Sequence, residues 1–367
     1  MLSHKILLIS TGGTIAGQIA TNRKDNQDIR KAEDFSELIK PTVALFQNKW
    51  NIRVIIEPYT LFDLDSSDIV PDQWCSLASL IKEKYDDYDS FIVTHGTNTL
   101  AYTSAALSFA LANINKPVVF TGSQIPSNMP GSDALGNLNN SMRIAAWRHH
   151  QMKGVLTVFG SHIIAGTRVK KDTEFDYDAF KSFGIGSIGR IGRIIDINQT
   201  NLQKHLSYLS NDAYPKAISA KNLICENEFD MRIASLTEFP GMSPDIFKSL
   251  VENNDIHGFI LRAFGAGDAS THLSNAFKYL KNNEIPIVVT TQAARGNSNF
   301  QVNFPGQYLK EYKLAIPAYD MSIESQTTKL AWLLAKKNKR EINYKQLCTE
   351  MIHDIRGEIN VLQEVGL

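Results

Sequence analysis

Short apolar, β-branched runs alternate with longer segments that carry apolar residues every three or four positions, and this rhythm constrains the fold more than any other feature. The runs at 6–10, 52–58, 91–94, 118–121 and 155–159 predict strands. The segments at 71–84, 100–111 and 134–147 predict amphipathic helices between them. Repeated strand–helix–strand units make neighbouring strands parallel and cover both faces of the sheet. The sequence therefore predicts an α/β fold with a doubly wound, mostly parallel sheet.

The rhythm stops after about Asp196 and resumes at Ile233, which predicts two domains. The length of 367 residues agrees, because one domain usually holds about 150 residues. We assign 1–196 to a larger N-terminal domain and 223–367 to a smaller C-terminal α/β domain. A linker is assigned to 197–222, since 198–214 is polar and lacks a sustained apolar period. In the second domain, strands at 233–236, 258–261 and 285–290 alternate with helices at 243–253 and 270–282, and two further helices complete it.

The charge balance argues against nucleic acid and membranes as partners. Lys and Arg together number 38, as do Asp and Glu, so the chain carries no overall field that attracts phosphate backbones or anionic lipids. No apolar run is long enough for a spanning helix or a signal peptide. Three cysteines without CxxC spacing favour a reducing compartment, and the nine histidines show no metal-ligand spacing. We expect a cytoplasmic protein that uses no metal.

Two hydroxyl-rich turns follow predicted strands. Thr-Gly-Gly-Thr at 11–14 follows the first strand, and His-Gly-Thr-Asn-Thr at 95–99 follows a later one. Ligands of open parallel sheets bind at the carboxyl ends of the strands. Glycines let backbone N–H groups approach a ligand closely, and a threonine hydroxyl becomes a nucleophile when a base takes its proton. The first turn alone fits a tight turn with a capping threonine better than a site. The pair of turns, with Asp63 to Asp68 between them, predicts a site for a small zwitterion. His95 is expected to fix its turn through its ring nitrogens.

These segments together resemble the bacterial-type L-asparaginase family, and in particular its cytoplasmic type I branch. In the first domain the matching segments are Ser-Thr-Gly-Gly-Thr-Ile-Ala-Gly at 10–17, Asp-Ser-Ser-Asp at 65–68, His-Gly-Thr-Asn-Thr-Leu-Ala-Tyr-Thr at 95–103 and Thr-Gly-Ser-Gln-Ile-Pro at 121–126. In the second domain, Ile-Leu-Arg-Ala-Phe-Gly at 260–265 and Asp-Met-Ser-Ile-Glu at 320–324 continue the match.

The resemblance implies hydrolysis of L-asparagine to L-aspartate and ammonia, without a metal or an organic cofactor. Thr14 would be the nucleophile that forms an acyl-enzyme, and Thr97 and Lys171 would relay protons. A lysine that is desolvated in a crevice has a lowered pKa and can act as a base; the neighbouring Lys170 is the alternative. The implied substrate-binding residues are Gly13, Asp65, Ser66, Asn98, Ser123 and Asp268. The family also implies a homodimer or homotetramer whose sites are closed by residues from a partner subunit.

The chain departs from the family pattern at three places. Asn98 stands where the family has an aspartate that holds the substrate ammonium group. The loop at 18–34 contains no aromatic residue in place of the family's lid tyrosine, and Phe35 is a poor substitute. Asp268 stands where related chains tend to have asparagine, and we hypothesise that it supplies the carboxylate that Asn98 lacks.

The sequence leaves three functions open. The first is an L-asparaginase, and the second is an asparaginase-fold protein that binds an amino acid without turnover. The third is the ammonia-generating subunit of an archaeal tRNA-dependent amidotransferase, whose extra N-terminal domain we do not expect because the first strand begins near Met1. Asparagine and glutamine differ by one methylene, which a pocket distinguishes by only about 1–3 kcal/mol.

Overall fold

The computed structural model describes residues 2–13, 15, 32–146, 152–209 and 222–360. They belong to two compact units. The first comprises Met1–Ser182 and Gly186–Asn227, and the second comprises Phe183–Ile185 and Glu228–Leu367. No helix among the described residues combines the length and the apolar character that crossing a bilayer requires.

The first unit contains an eight-stranded sheet. Its strands are β1 (Leu2–Gly12), β2 (Ile52–Leu64), β3 (Ser90–Thr94), β5 (Pro117–Thr121), β6 (Gly154–Phe159), β7 (His162–Ala165), β10 (Gly189–Ile191) and β11 (Ile195–Ile197). Two small two-stranded sheets accompany it: β4 (Leu111–Ala112) pairs with β12 (Ile224–Cys225), and β8 (Val169–Lys171) pairs with β9 (Phe180–Ser182). The large sheet has the order β11-β10-β7-β6-β5-β3-β1-β2. Strands β2, β1, β3, β5 and β6 are parallel, and the remaining pairs are antiparallel.

Five helices accompany these strands among the described residues of the first unit. They are α1 (Ala32–Trp50), α2 (Pro71–Glu83), α3 (Leu100–Ala110), α4 (Ala134–Ala145) and α5 (Gln199–Leu209). Every residue of β3 and β5 is buried, so the centre of the sheet is covered on both faces. One core cluster joins Phe35 and Ile39 of α1 and Leu138 of α4 to Ile92 and Val119 of the sheet. The predicted doubly wound, mostly parallel architecture is confirmed.

Helix α5 corrects one expectation from the sequence. We assigned 197–222 to a linker, but residues 199–209 are helical. Leu202 is buried in the core of the first unit, and Leu206 packs against that core. The helix buries only this narrow stripe, so its apolar period is hard to see in the sequence. The first unit extends to Asn227 and includes β12, so the boundary between the units lies after the segment assigned to the linker and not within 197–222. Residues 210–221 lie outside the described residues.

The second unit repeats the strand–helix alternation on a smaller scale. Its elements are β13 (Ile233–Thr237), α6 (Asp245–Asn254), β14 (Gly258–Ala263), α7 (Ser274–Asn282), β15 (Ile287–Thr291), α8 (Phe304–Glu311), β16 (Ile316–Pro317), α9 (Ile323–Asn338) and α10 (Tyr344–Ile352). The four strands are parallel in the order β13-β14-β15-β16. Helix α9 begins where the Ser322 side chain accepts a hydrogen bond from Ser325 N, and it ends with Lys336 and Lys337 in its last turn.

Candidate active site

Three strand ends meet at the carboxyl edge of the first unit's sheet. Gly12, the last residue of β1, and Gly13, which follows it, have φ values of 91° and 82°, which residues with a side chain rarely adopt. Gly13 N donates a hydrogen bond to Leu64 O, at the end of β2, over 2.9 Å. A Cβ atom on Gly13 would lie 2.3 Å from Gly96 Cα in the turn after β3. The structure thus brings the two predicted turns into direct backbone contact.

This contact makes Gly13→Ala disruptive. The left-handed backbone alone costs about 1–2 kcal/mol with a side chain present, and the Cβ atom would also push the Gly96 turn away. We expect a lower thermal midpoint of unfolding and a loss of activity. The matched control is Gly136→Ala in α4, where a Cβ atom meets nothing within 4 Å and should add about 0.5–1 kcal/mol of stability. Equal stabilities for the two variants would contradict this interpretation.

Thr14, the predicted nucleophile, lies outside the described residues, as do residues 18–31 of the loop predicted at 18–34. The last three residues of that loop, 32–34, begin helix α1. The described neighbours of Thr14 are Gly13, in the turn above, and Ile15, which is fully buried in the core of the first unit. Phe35 is also fully buried in that core. Because the Phe35 side chain packs inside the core, it cannot also cover the candidate active site, so Phe35 does not replace the family's lid tyrosine.

Lys171, Thr97 and Asn98 form a hydrogen-bonded cluster. The Lys171 Nζ atom donates to Thr97 Oγ1 over 3.0 Å and to Asn98 Oδ1 over 3.4 Å. Asn98 Nδ2 donates in turn to Ser67 Oγ over 3.0 Å. Lys171 ends β8, whereas Thr97 lies in the turn after β3. The structure therefore brings together three of the predicted site residues, and it adds Ser67, which the sequence did not single out.

Burial affects how readily the Lys171 amine loses its proton. Burial lowers the pKa of Lys171 from its ordinary value, and the negative charge of Glu174 raises it in part. A lowered pKa makes the neutral amine, which accepts protons, easier to reach. Lys170 precedes Lys171 in the same strand, and successive side chains of a strand point to opposite faces. The contact with Thr97 belongs to Lys171 and so distinguishes the two lysines.

Asp65 and Ser66 stand beside this cluster in a short 3₁₀ turn, Ser66–Asp68, that follows β2. The Asp65 carboxylate accepts a hydrogen bond from Ser67 N over 2.8 Å and caps that turn. Ser66 is buried, and its carbonyl accepts from Thr99 Oγ1 over 2.6 Å. The capping interaction explains Asp65 structurally, and its exposed carboxylate is still available to a ligand.

His95 anchors the turn that carries Thr97. Its Nδ1 atom lies 2.8 Å from Gly96 O, which only accepts, so Nδ1 carries the proton. Its Nε2 atom then accepts from the Thr103 hydroxyl over 2.9 Å, and that hydroxyl accepts from Trp74 Nε1 over 3.1 Å. Burial lowers the pKa of His95 to about 4, although the hydrogen bond to Gly96 raises it in part. The expected structural role of His95 is confirmed, and the imidazole is neutral at pH 7.

Two further residues lie in the segment after β5. Ser123 is fully buried, and its hydroxyl has no hydrogen-bond partner within the part of the chain that the structure describes. Gln124 belongs to the same motif, but the sequence assigned it no role. Its side chain donates to the backbone carbonyl of Glu174 over 2.7 Å, close to Lys171 in the chain.

Asp268 belongs to the second unit. It lies in a tight loop after β14, where its N–H donates to Phe264 O over 2.8 Å. Its carboxylate accepts from Asn303 Nδ2 over 2.6 Å. The side chain is half-buried.

Comparisons with known proteins cover both units. A family model described as the N-terminal domain of asparaginase matches residues 5–203, and one described as the glutaminase/asparaginase C-terminal domain matches residues 232–345. The L-asparaginase of Thermococcus kodakarensis is 30% identical over 357 residues, which are 97% of this chain and 99% of that protein. A glutamyl-tRNA(Gln) amidotransferase component from Sulfolobus acidocaldarius is 30% identical over 366 residues, 98% of this chain and 76% of that protein.

A solved structure extends the likeness to the fold. L-asparaginase I from Vibrio cholerae superposes with a TM-score of 0.79 at 27% identity. The superposition covers 98% of this chain and 99% of that one.

Proposed function

This chain belongs to the asparaginase family, and on that premise we propose that it hydrolyses the side-chain amide of L-asparagine to give L-aspartate and ammonia. The observation that carries the proposal is the 3.0 Å contact between Lys171 Nζ and Thr97 Oγ1 at the carboxyl edge of the first unit's sheet. A partly buried lysine in contact with a buried threonine hydroxyl is the pairing that proton transfer at neutral pH requires.

The reaction has two steps. In the first, the Thr14 hydroxyl attacks the amide carbon, the C–N bond breaks, and the amide nitrogen leaves as ammonia with the hydroxyl proton. In the second, water attacks the ester on Thr14, aspartate leaves, and the hydroxyl is restored. Neutral Lys171 accepts a proton through Thr97 Oγ1 and returns it to the leaving group. Backbone N–H groups near Gly13 and Thr97 stabilise the negative oxygen that forms on the substrate.

Substrate recognition falls to the polar groups around this pair. Asp65, Ser66 and Asn98 offer an exposed carboxylate, a buried hydroxyl and a carboxamide next to Thr97. Ser123 adds a buried hydroxyl that still lacks a partner among the described residues. The chain would assemble as a homodimer or homotetramer, in which Asp268 of a neighbouring subunit would supply the site with the carboxylate that Asn98 lacks. Analytical ultracentrifugation, which measures the mass of the assembly, tests the oligomeric state.

The cellular setting that fits this proposal is the cytoplasm. The described cysteines Cys75, Cys225 and Cys348 form no disulfide, as a reducing compartment favours. Fractionation of cells that express the tagged chain tests this expectation.

Ammonia release from L-asparagine and from L-glutamine tests the proposed reaction. Rapid quenching during turnover, followed by mass spectrometry, should find aspartyl ester on the peptide that contains Thr14. Glutamine is the matched competitor because a component of a glutamyl-tRNA(Gln) amidotransferase is among the relatives. If the chain hydrolyses glutamine but not asparagine, the proposed substrate is wrong. If the acyl group is found on a residue other than Thr14, the proposed nucleophile is wrong.

Asn98→Asp is expected to raise kcat/KM for L-asparagine by about ten- to a hundredfold. Its carboxylate would accept charge-assisted hydrogen bonds where a neutral amide now stands, which is worth roughly 1.5–3 kcal/mol. Both present contacts survive the change, because Lys171 Nζ and the Ser67 hydroxyl can each donate to a carboxylate oxygen. Asn98→Leu removes the contacts at similar volume and is expected to lower activity.

The same substitution shifts the pH dependence. Activity rises with pH as Lys171 loses its proton, and burial keeps that pKa low in the present chain. A carboxylate in place of the Asn98 oxygen, 3.4 Å from Nζ, favours the ammonium form and raises the pKa of Lys171. The rise in kcat/KM should therefore be centred at higher pH in Asn98→Asp than in the native chain. An unchanged midpoint would mean that Lys171 is not the titrating base.

A second function is favoured by Asn98 itself. If the chain binds L-asparagine in calorimetry without releasing ammonia, and Asn98→Asp releases it, the chain is a binding protein on an asparaginase fold. Turnover by the unchanged chain would exclude that alternative.

A further inference from the structure

Lys171 stands on a hairpin that is too short to hold itself in place. Strands β8 and β9 have three residues each. Lys171 pairs with Phe180, and this pair is the last one before the residues 172–179 that connect the two strands. Asp172 N donates to Ala179 O over 2.8 Å and extends the pairing by one bond. An isolated two-stranded ladder is marginally stable in water. Contacts elsewhere must therefore fix the connection at 172–179 and, through it, the position of Lys171.

The segment after β5 supplies the contacts that lie nearest to Lys171 in the chain. Gln124 Nε2 donates to Glu174 O over 2.7 Å and makes a longer contact of 3.4 Å to Asp176 O. Nearby, Tyr177 Oη donates to Gly131 O over 2.8 Å. The two carbonyls that Gln124 contacts lie three and five positions beyond Lys171. Farther along the connection, the Asp178 carboxylate accepts hydrogen bonds from Ser161 N and Ser161 Oγ over 2.6 and 3.1 Å. Gln124 is therefore the contact that holds the part of the connection next to Lys171.

Gln124 is itself firmly supported. The backbone N–H groups of Gln124 and Ile125 donate to the Asp133 carboxylate over 3.0 and 3.1 Å. That carboxylate also accepts from Asn137 Nδ2 on α4 over 2.9 Å, and the same nitrogen donates to Gly122 O over 2.9 Å. The support is a charge-assisted network on a helix and a central strand. The hairpin is therefore tied to a rigid part of the unit.

From this geometry we infer that Gln124 is a positioning residue for the reaction, which acts by tying the β8–β9 hairpin so that Lys171 Nζ stays in contact with Thr97 Oγ1. The inference rests on the proposed function of Lys171. Displacing a reacting group by about 1 Å costs up to a hundredfold in rate. The tie also holds Glu174 near Lys171, and the charge of Glu174 raises the pKa of that lysine.

Gln124→Met tests the inference, because methionine keeps the length of the side chain and removes both donors. We expect kcat for L-asparagine to fall by roughly tenfold or more, with little change in KM, since Asp65 and Ser66 are not on the hairpin. Amide hydrogen exchange at Asp172 should become faster at the same time. A merely destabilised protein would show faster exchange throughout the first unit.

Asn201→Ala is the matched control. Asn201 Nδ2 also donates to two backbone carbonyls of the first unit, those of Gly186 and Ser187, at 3.0 Å each. The Asn201→Ala variant should leave both kcat and amide hydrogen exchange at Asp172 unchanged. An unchanged kcat in Gln124→Met would overturn the inference, even if the hairpin loosened.

The exchange measurement separates this inference from the proposed function. If the native chain releases no ammonia, the proposed function fails, and exchange at Asp172 still decides whether Gln124 ties the hairpin. Faster exchange in Gln124→Met alone supports the tie. Equal exchange in Gln124→Met and the native chain overturns it.

Discussion

Lys171→Met is expected to lower kcat/KM for L-asparagine by about a hundred- to ten-thousandfold, the usual contribution of a positioned acid or base. Methionine matches the aliphatic stem but carries no amine, so Thr97 loses the partner that lies 3.0 Å away. The loss should appear mainly in kcat, because the amine acts on the transition state rather than on substrate binding. Steady-state ammonia release at saturating and limiting substrate measures both parameters.

Lys170→Met is the matched control, since it removes the same amine one position earlier in the same strand. Both lysines are half-buried, but the Thr97 contact belongs to Lys171. We expect the kcat/KM of Lys170→Met to stay close to that of the native chain. If Lys170→Met showed the large loss and Lys171→Met did not, the base would have to be reassigned to Lys170.

The second large effect is on stability, at a buried ion pair of the second unit. The Lys329 and Glu358 side chains are completely buried, and Lys329 Nζ lies 2.5 Å from the Glu358 carboxylate. Glu358 also accepts from Ile355 N and Arg356 N. Burial raises the pKa of Glu358, but Lys329 and these N–H groups outweigh that effect and hold the pKa below its ordinary value. The carboxylate is therefore charged, and it depends on its partner.

Lys329→Met is expected to destabilise the second unit by about 3–5 kcal/mol, because it leaves a buried carboxylate without its counter-charge. Native-state hydrogen exchange of the α9 amides measures the loss directly. Adding Glu358→Leu should recover part of it, since the uncompensated charge is then gone. Lys248→Met is the control: its partner Glu252 is 3.7 Å away on an exposed helix face, and such pairs contribute about 0.5 kcal/mol or less. Equal losses for Lys248→Met and Lys329→Met would contradict the prediction.

The strands and helices that position the site could be predicted from the sequence. The expected strand at 91–94 is β3, and the expected helix at 100–111 is α3, with ends that agree within one residue. Strand β3 is completely buried, and its short apolar run is a clear signal. Helix α3 is buried at every position except Tyr102, so the helix was predicted correctly but its expected amphipathic character was wrong. Helix α1 was missed because Pro41 lies inside it, and proline normally ends a helix. Helix α5 was missed because it buries only a narrow stripe.

The site could be predicted only in part. The glycines at 12, 13 and 96 are local signals, since each lies at the end of a strand or just after it. Ser67 and Gln124 carry no local signal that separates them from other polar residues in turns. Ser67 gains its importance from Asn98, 31 positions away, and Gln124 from Glu174, 50 positions away.

The sequence by itself determined the alternation of strands and helices, the organisation into two domains and the two turns that lie at the carboxyl edge of the sheet. These features depend on periodicity and on turn geometry, which involve residues close together in the chain. Only the tertiary structure decided that Lys171 rather than Lys170 contacts Thr97, that burial lowers the pKa of Lys171, and that Gln124 holds its hairpin. Those properties depend on which segments the order of the strands brings together, over separations of 50 and 74 positions. No local pattern records that order.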